Sequence, residues 1–304
     1  MISLEGASAR RKPVSIKNVD LEWGPGLHAV VGTFGDGCAL LLAVLVGAAP
    51  LARGRVRVLG RPPTDPESRT QIARVGIEPS LPDALRVDEA LDLASRVRGD
   101  APRGAVGRLA LLGIEALAPR PVRSLSRGEA RGVAMVEALT SARVRVLVVE
   151  EPFASSDTRV AGRIVEGFRE KSQSGCAIVF TTSSLRDASD LADDYVLLSA
   201  GRLLGAPTPV RALAGVSLGT AYTVIVARDG AEARQIAAAL SAQPGVAGFE
   251  LDANTVRLRG GDPVALARAA GRAVTEANVS IVEIRSESPS LDDARTAAVS
   301  VAAS

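Results

Sequence analysis

The chain has 304 residues, 47% of them hydrophobic, and a net charge of only +2. That is enough apolar material for one large domain plus a smaller one, and it excludes a disordered polymer. The near-neutral balance, without a basic stripe interleaved with aromatics, argues against nucleic acid as a partner. Two cysteines far apart in sequence, Cys38 and Cys176, and no secretory signal lead to the expectation of a reducing cytosol.

Taken in order, Arg10-Arg11-Lys12 reads as a solvated loop rather than a lipid-contacting patch. His28–Gly32 is a short apolar run that ends in Gly32-Thr33-Phe34-Gly35-Asp36-Gly37-Cys38-Ala39. This segment has the glycine frame of a phosphate-binding loop, G-x-x-x-x-G-K-[ST]. In the full motif the glycines let backbone N–H groups close on phosphate, the Lys reaches the terminal phosphates and the hydroxyl binds Mg²⁺. Here Cys38 stands at the Lys position and Ala39 at the hydroxyl position. Ala39–Val46 is the longest apolar run. It falls short of the about 20 residues that a bilayer span requires, so it predicts a buried helix.

Val56–Leu59 and Val75–Ile77 are strand candidates, and the helical period takes over between Val87 and Leu117. Ser126 with Glu129 three residues later predicts a capping box ahead of Val133–Leu139. Val144–Val149 reads as a buried strand ending in Glu150-Glu151, Arg159–Glu170 as a helix, and Ala177–Thr181 and Tyr195–Ser199 as further strands. Strands alternating with helices imply a largely parallel sheet with its ligand site at the carboxyl ends of the strands. Composition shifts near Gly215–Gly219. Beyond it the order is strand (Tyr222–Ala227), helix (Ala231–Leu240), strand (Val246–Leu251), strand (Thr255–Leu258), helix (Pro263–Ala277), strand (Val279–Arg285). Asp252-Ala253-Asn254 is a hairpin candidate, and βαββαβ is the order of a ferredoxin-like unit.

Four segments in sequence carry a family resemblance. They are Pro25–Gly32 leading into the glycine loop, Leu125-Ser126-Arg127-Gly128-Glu129 at a helix head, Val146–Pro152 followed by Ser155-Ser156-Asp157, and Thr181–Leu185. The set resembles the nucleotide-binding subunit of an ABC transporter over roughly residues 1–215, with Walker A, signature, Walker B, D-loop and switch segments in order. The tail, with Ser288-Pro289-Ser290-Leu291-Asp292-Asp293, resembles the small C-terminal domain of ABC-2 type exporter ATPases, although the aromatic expected after the acids is Ala294. The resemblance implies a P-loop NTPase-like α/β domain over residues 1–216, with a helical subdomain at about 80–140, and a small α+β domain over 217–304.

It also implies ATP between the glycine loop (Gly32, Gly35, Gly37, Cys38, Ala39) of one subunit and the signature (Ser126, Gly128) of another, since such domains pair head to tail. Departures are frequent. Cys38 replaces the phosphate-binding Lys, Ala39 and Glu150 stand at degenerate metal-binding positions, and Ser183 stands where the switch histidine belongs. Glu151 matches the water-polarising carboxylate and is here a vestigial catalytic residue.

The only histidine, His28, precedes the loop, and no glutamine lies between Gln71 and Gln173 to serve the Q-loop near Glu78–Ser80. The first aromatic is Trp23, expected to pack beside a strand rather than to stack on adenine. Cys38 reads as a small buried thiol rather than a redox switch, although a helix N-terminus does lower a thiol pKa. A lost Lys contact, at roughly 1.5–3 kcal/mol, weakens nucleotide binding by about tenfold to 150-fold.

The expectation is a pseudo-ATPase that binds ATP weakly or only at a partner-shared site, with Mg²⁺ supplied only through the partner. Its intact signature would complete the site of a second ABC subunit, either a catalytic paralogue or a second copy, on an integral-membrane permease at the inner face of the cell membrane. The alternative is a nucleotide-independent adaptor or scaffold. An active ATPase with an unusual loop is disfavoured by Cys38, Ala39 and Ser183 together.

Overall fold

A computed structural model of the chain describes residues 1–101, 103–154, 158–210, 221–241 and 243–287. The D-loop segment Ser155-Ser156-Asp157, the boundary at Gly215–Gly219 and the ending Ser288–Asp293 lie outside the described residues. The chain divides into two compact units, Met1–Thr208 and Pro209–Ser304.

The first unit opens with β1 (Ile2–Arg11), β2 (Val14–Trp23), β3 (Gly26–Val31), α1 (Cys38–Leu45) and β4 (Arg53–Val58). Then come α2 (Pro66–Gln71), β5 (Ile72–Val75), α3 (Val87–Arg98), α4 (Ala105–Leu109) and α5 (Arg127–Thr140). It continues through β6 (Val146–Glu150), α6 (Thr158–Gln173), β7 (Ala177–Thr182), α7 (Leu185–Leu191), β8 (Asp194–Ser199) and β9 (Arg202–Pro209). Two sheets form. One is three-stranded, in the order β2-β1-β4, with β1 antiparallel to both neighbours. The other is six-stranded, in the order β5-β6-β7-β3-β8-β9, and parallel from β5 to β8.

The short apolar run of α1 explains how the layers join. Its side chains Leu40, Leu41, Leu42, Val44 and Leu45 share one core with Ile2 and Leu4 of β1, Ile16 and Trp23 of β2, and Val146, Val148, Val179 and Val196 of the parallel sheet. A helix apolar on all sides is a helix buried on all sides. Among the described residues no helix is long and apolar enough to cross a membrane. Strands β3, β6 and β7 are buried along their whole length, as parallel strands covered on both faces must be.

Three expectations are corrected. Arg10 and Arg11 are exposed residues at the end of β1, not part of a loop, and only Lys12 lies in the turn that follows. The hairpin escapes a period-2 reading because its register shifts twice, between Leu4 and Ala7 and between Ala7 and Ala9. The strand expected at Val75–Ile77 runs from Ile72 to Val75, where it pairs in parallel with Val146–Val149. The helical stretch from Val87 is not continuous. It breaks at Gly99, in the left-handed region at φ 75°, before α4 and a 3-10 turn at Glu115–Leu117.

The second unit carries an antiparallel sheet in which Ala221–Ala227 lies between Thr255–Gly260 and Ile281–Glu287, with Gly248–Asp252 beyond Thr255–Gly260. Helices Gly230–Leu240 and Pro263–Ala277 cover it through Ile236, Leu240, Leu266 and Ala270. The hairpin at Asp252–Thr255 turns through Ala253 at φ 50°.

Arg98 binds the helical layer to the parallel sheet. From the end of α3 it pairs with Glu137 of α5 at 2.6 Å and donates to the carbonyls of Ile72, at 2.9 Å, and Thr70, at 3.1 Å. Both side chains are about five-sixths buried, at 16% and 15% exposure. Removing one partner of such a pair leaves a buried charge uncompensated, at about 3–5 kcal/mol. Arg98→Met is expected to lower the unfolding free energy by about 3 kcal/mol in urea titrations of the full chain. Arg98→Met with Glu137→Leu should recover most of that loss.

Candidate functional site

The glycine loop leaves the carboxyl end of β3, flanked by β7 and β8. Gly32 donates its N–H to the Thr182 carbonyl at 3.0 Å. No side chain fits at Gly32, because a Cβ there would lie 2.7 Å from Cys38 Sγ and 2.8 Å from the Leu198 carbonyl. Phe34–Asp36 makes a single 3-10 turn, and Gly37 then enters α1 in the left-handed region at φ 95°. Gly35 faces open space, and Phe34 stands 83% exposed. Cys38 is buried and Ala39 half-buried.

Asp36 occupies the centre of this turn and is only 7% exposed. Its Oδ2 accepts the Thr33 N–H at 2.7 Å and the Thr33 hydroxyl at 2.6 Å, and its Oδ1 accepts the Ala200 N–H at 3.0 Å. Its carbonyl accepts the Gly201 N–H at 3.0 Å. The loop is therefore tied to the turn between β8 and β9.

Glu150, at the end of β6, is 8% exposed and forms an ion pair with Arg74 of β5. Buried Arg131 of α5 donates to the carbonyls of both Glu150 and Glu151 and, at 3.2 Å, to that of Gly76. This anchors the signature helix to the strand end. Glu151 sits at φ 44°, a region that non-glycine residues enter at a cost and that is common at functional positions. Burial pushes its carboxyl above the usual carboxylate range, with Asp187 adding to the rise. The Ser183 N–H, hydrogen-bonded to it, and Arg131 pull the other way. Ser183 is exposed, while Ser184 caps α7 by accepting the Asp187 N–H at 3.1 Å.

At the signature, Ser126 and Glu129 make the full capping box. The Glu129 N–H reaches Ser126 Oγ at 3.2 Å, and the Ser126 N–H reaches Glu129 Oε2 at 2.7 Å. The backbone bond from Ser126, with help from Arg120, holds the Glu129 carboxyl below its usual range. Ser126 is exposed and Gly128 half-buried.

The structure gathers the glycine loop, Glu150, Glu151 and Ser183 at neighbouring carboxyl ends of β3, β6 and β7. Cys38 supplies no cation, and the loop already holds the carboxylate of Asp36. Magnesium does not fit either, since Ala39 offers no oxygen and Glu150 is taken by Arg74. No group of three or more His, Cys, Asp or Glu able to hold a metal exists among the described residues.

Trp23 and His28 are structural. Their rings stack at 5.1 Å, and both bind Asp194, Trp23 through Nε1 at 3.0 Å and His28 through Nδ1 at 3.0 Å. Arg74 and Arg131 escaped the sequence reading. Neither belongs to a motif, and their partners are 76 and 19 residues away.

The family described as ABC transporter matches residues 16–154. A putative ABC transporter ATP-binding protein of Streptomyces avermitilis is 33% identical over 234 residues, 74% of this chain and 41% of that protein. The hemin import ATP-binding protein HmuV of Streptomyces coelicolor is 32% identical over 221 residues, 69% of this chain and 78% of that protein. Among solved structures, the ATP-binding subunit of an ABC transporter aligns with a TM-score of 0.64 at 21% identity, over 71% of this chain and 92% of that one. The chain belongs to the ATP-binding proteins of ABC transporters, with their P-loop NTPase-like fold. It spans less than half the length of the avermitilis relative.

A carboxyl raised by folding contributes stability that is present below its unfolded pKa and lost as pH rises through the folded one. Glu151→Gln is therefore expected to melt above the parent chain at pH 7. The gap should close as pH falls below about 4.3. Thermal melts across pH 4 to 8 test this.

Proposed function

We propose that this chain is the non-hydrolysing subunit of an ABC-2 type transporter. It holds ATP weakly at its own glycine loop and lends its signature to a catalytic partner subunit. The observation that carries this reading is the contrast between the two halves of the nucleotide machinery. The loop and Glu150 have their charges satisfied internally, by Thr33, Ala200 and Arg74. Ser126 stays exposed at the head of a preformed capping box. An adaptor that had abandoned nucleotide would need that hydroxyl only as a helix cap. Mg²⁺ reaches the shared site only with the partner's nucleotide.

A groove of about 540 Å³ between α3, α5 and the segment Pro79–Pro82 supports a permease partner. Beside it Leu93 is 45% and Val97 71% exposed, an apolar face on which a segment of a membrane subunit can lie at the inner face of the cell membrane. The ABC-2 type rests on the βαββαβ unit that follows the cassette, whereas the hemin relative is named for import.

The purified chain is expected to show no Mg-ATPase activity above background, with Glu151→Gln changing nothing in that assay. Magnesium-dependent turnover abolished by this substitution would refute the reading.

In a complex with the catalytic subunit, Ser126→Arg should abolish ATPase activity or transport by placing bulk and charge where the partner's γ-phosphate sits. Changes at Cys38 or Glu151 in the same complex should cost far less. Loss through Glu151 with tolerance of Ser126→Arg would reverse the two sites. Tolerance of both would leave the adaptor role.

A further inference from the structure

The feature of the glycine loop that no motif accounts for is the buried carboxylate at its centre. Asp36 is held by three donors, the Thr33 N–H and hydroxyl and the Ala200 N–H, all within 3.0 Å. Through its carbonyl it also holds Gly201, whose own carbonyl accepts the Lys17 N–H at 2.7 Å. The side chain thus ties the loop after β3 to the turn after β8, and the backbone bond from Lys17 ties that turn to β2 of the antiparallel sheet. A phosphate-binding loop ordinarily leaves its donors and its positive charge for the ligand. This one is supplied with an anion by its own sequence.

We propose that Asp36 is an autoinhibitory latch: a self-supplied carboxylate that closes the glycine loop and keeps nucleotide phosphate out. The proposal deepens the weak-nucleotide reading above and rests on it. Two effects act together. Closing the turn on Asp36 consumes the Thr33 N–H and fixes the loop without any ligand. The carboxylate also repels phosphate. At an effective dielectric of about 20, like charges about 5 Å apart cost more than tenfold in affinity.

A consequence separates the latch from a merely missing lysine. The Cys38 sulfur and the Asp36 Cβ both border the same point beside Gly32, at 2.7 and 3.4 Å from where a Cβ would stand. A lysine placed at position 38 would start beside the Asp36 side chain, whose carboxylate would compete with phosphate for its charge. Restoring the motif should therefore fail while Asp36 is present.

The test uses the full chain with a fluorescent N-methylanthraniloyl-ATP, with Mg²⁺ and with EDTA. The variants are Asp36→Ala, its near-isosteric control Asp36→Asn, the pair Cys38→Lys/Ala39→Ser, and that pair combined with each Asp36 change. The pair alone is expected to tighten binding by less than about threefold. Adding Asp36→Ala or Asp36→Asn should tighten it by at least about tenfold more, on the magnitude of one charged contact. A gain of about tenfold or more from the pair with Asp36 in place would overturn the latch and leave the nucleotide reading standing.

Amide hydrogen exchange gives a readout independent of nucleotide. Asp36→Asn should speed exchange at Thr33 and Ala200, and unchanged rates in a folded variant would overturn the latch. Faster exchange with no binding in any variant would overturn its phosphate role, and the nucleotide-site reading with it.

Discussion

The architecture depends on the burial of one short helix between two sheets. Helix α1 is apolar on every side, and it packs against the antiparallel β1–β2 hairpin on one side and the parallel sheet on the other. A helix buried so completely has no freedom to rotate or slide without opening cavities, which cost several kcal/mol when one large side chain is lost. Its N-terminus is therefore fixed at the carboxyl end of β3, and with it the left-handed Gly37 and the turn that Asp36 closes. The core behind the glycine loop thus fixes the loop's shape.

With the backbone so fixed, the charges at the site are satisfied largely from within the chain. A buried carboxylate needs a partner, because leaving it unpaired in a low-dielectric interior is costly. In a nucleotide-hydrolysing cassette the metal and the phosphates supply much of that partnership. Here Asp36 is satisfied by Thr33 and Ala200, and Glu150 by Arg74. Arg131 holds the carbonyls at the end of β6. Glu151 is the exception. It is held by a backbone N–H and stays in a strained left-handed conformation, with burial raising its pKa. The signature heads the helix that Arg131 anchors to this cluster, and its capping box orders Ser126, which stays exposed.

Much of the fold was legible in the residues, for local reasons. The apolar run Ala39–Val46 announced a buried helix, Ser126 and Glu129 announced a helix start, and Val144–Val149 announced a strand with both faces covered, although the strand begins at Val146 and Arg145 is exposed. The βαββαβ order was readable because its strands and helices are short and each carries its own period. The β1–β2 hairpin was not, since two register shifts break the alternation on which a strand reading rests. The displacement of β5 has a similar origin. Its limits are set by pairing with β6 and not by any signal within Ile72–Ile77.

The sequence by itself determined which chemical groups the site lacks. Cysteine at position 38 carries no cation, alanine at 39 no metal-binding oxygen and serine at 183 no imidazole, whatever the fold does with them. Only the tertiary structure decided what took their place. Asp36 reads in sequence as one more charge beside a loop. It becomes a closure when the turn after β8, 164 residues away, brings the Ala200 N–H to it. Arg74 and Glu150 become a pair because parallel pairing of β5 with β6 puts their ends side by side. Identity is a property of each residue, but partnership of buried charges belongs to the packed chain, because it depends on distances that sequence separation does not encode.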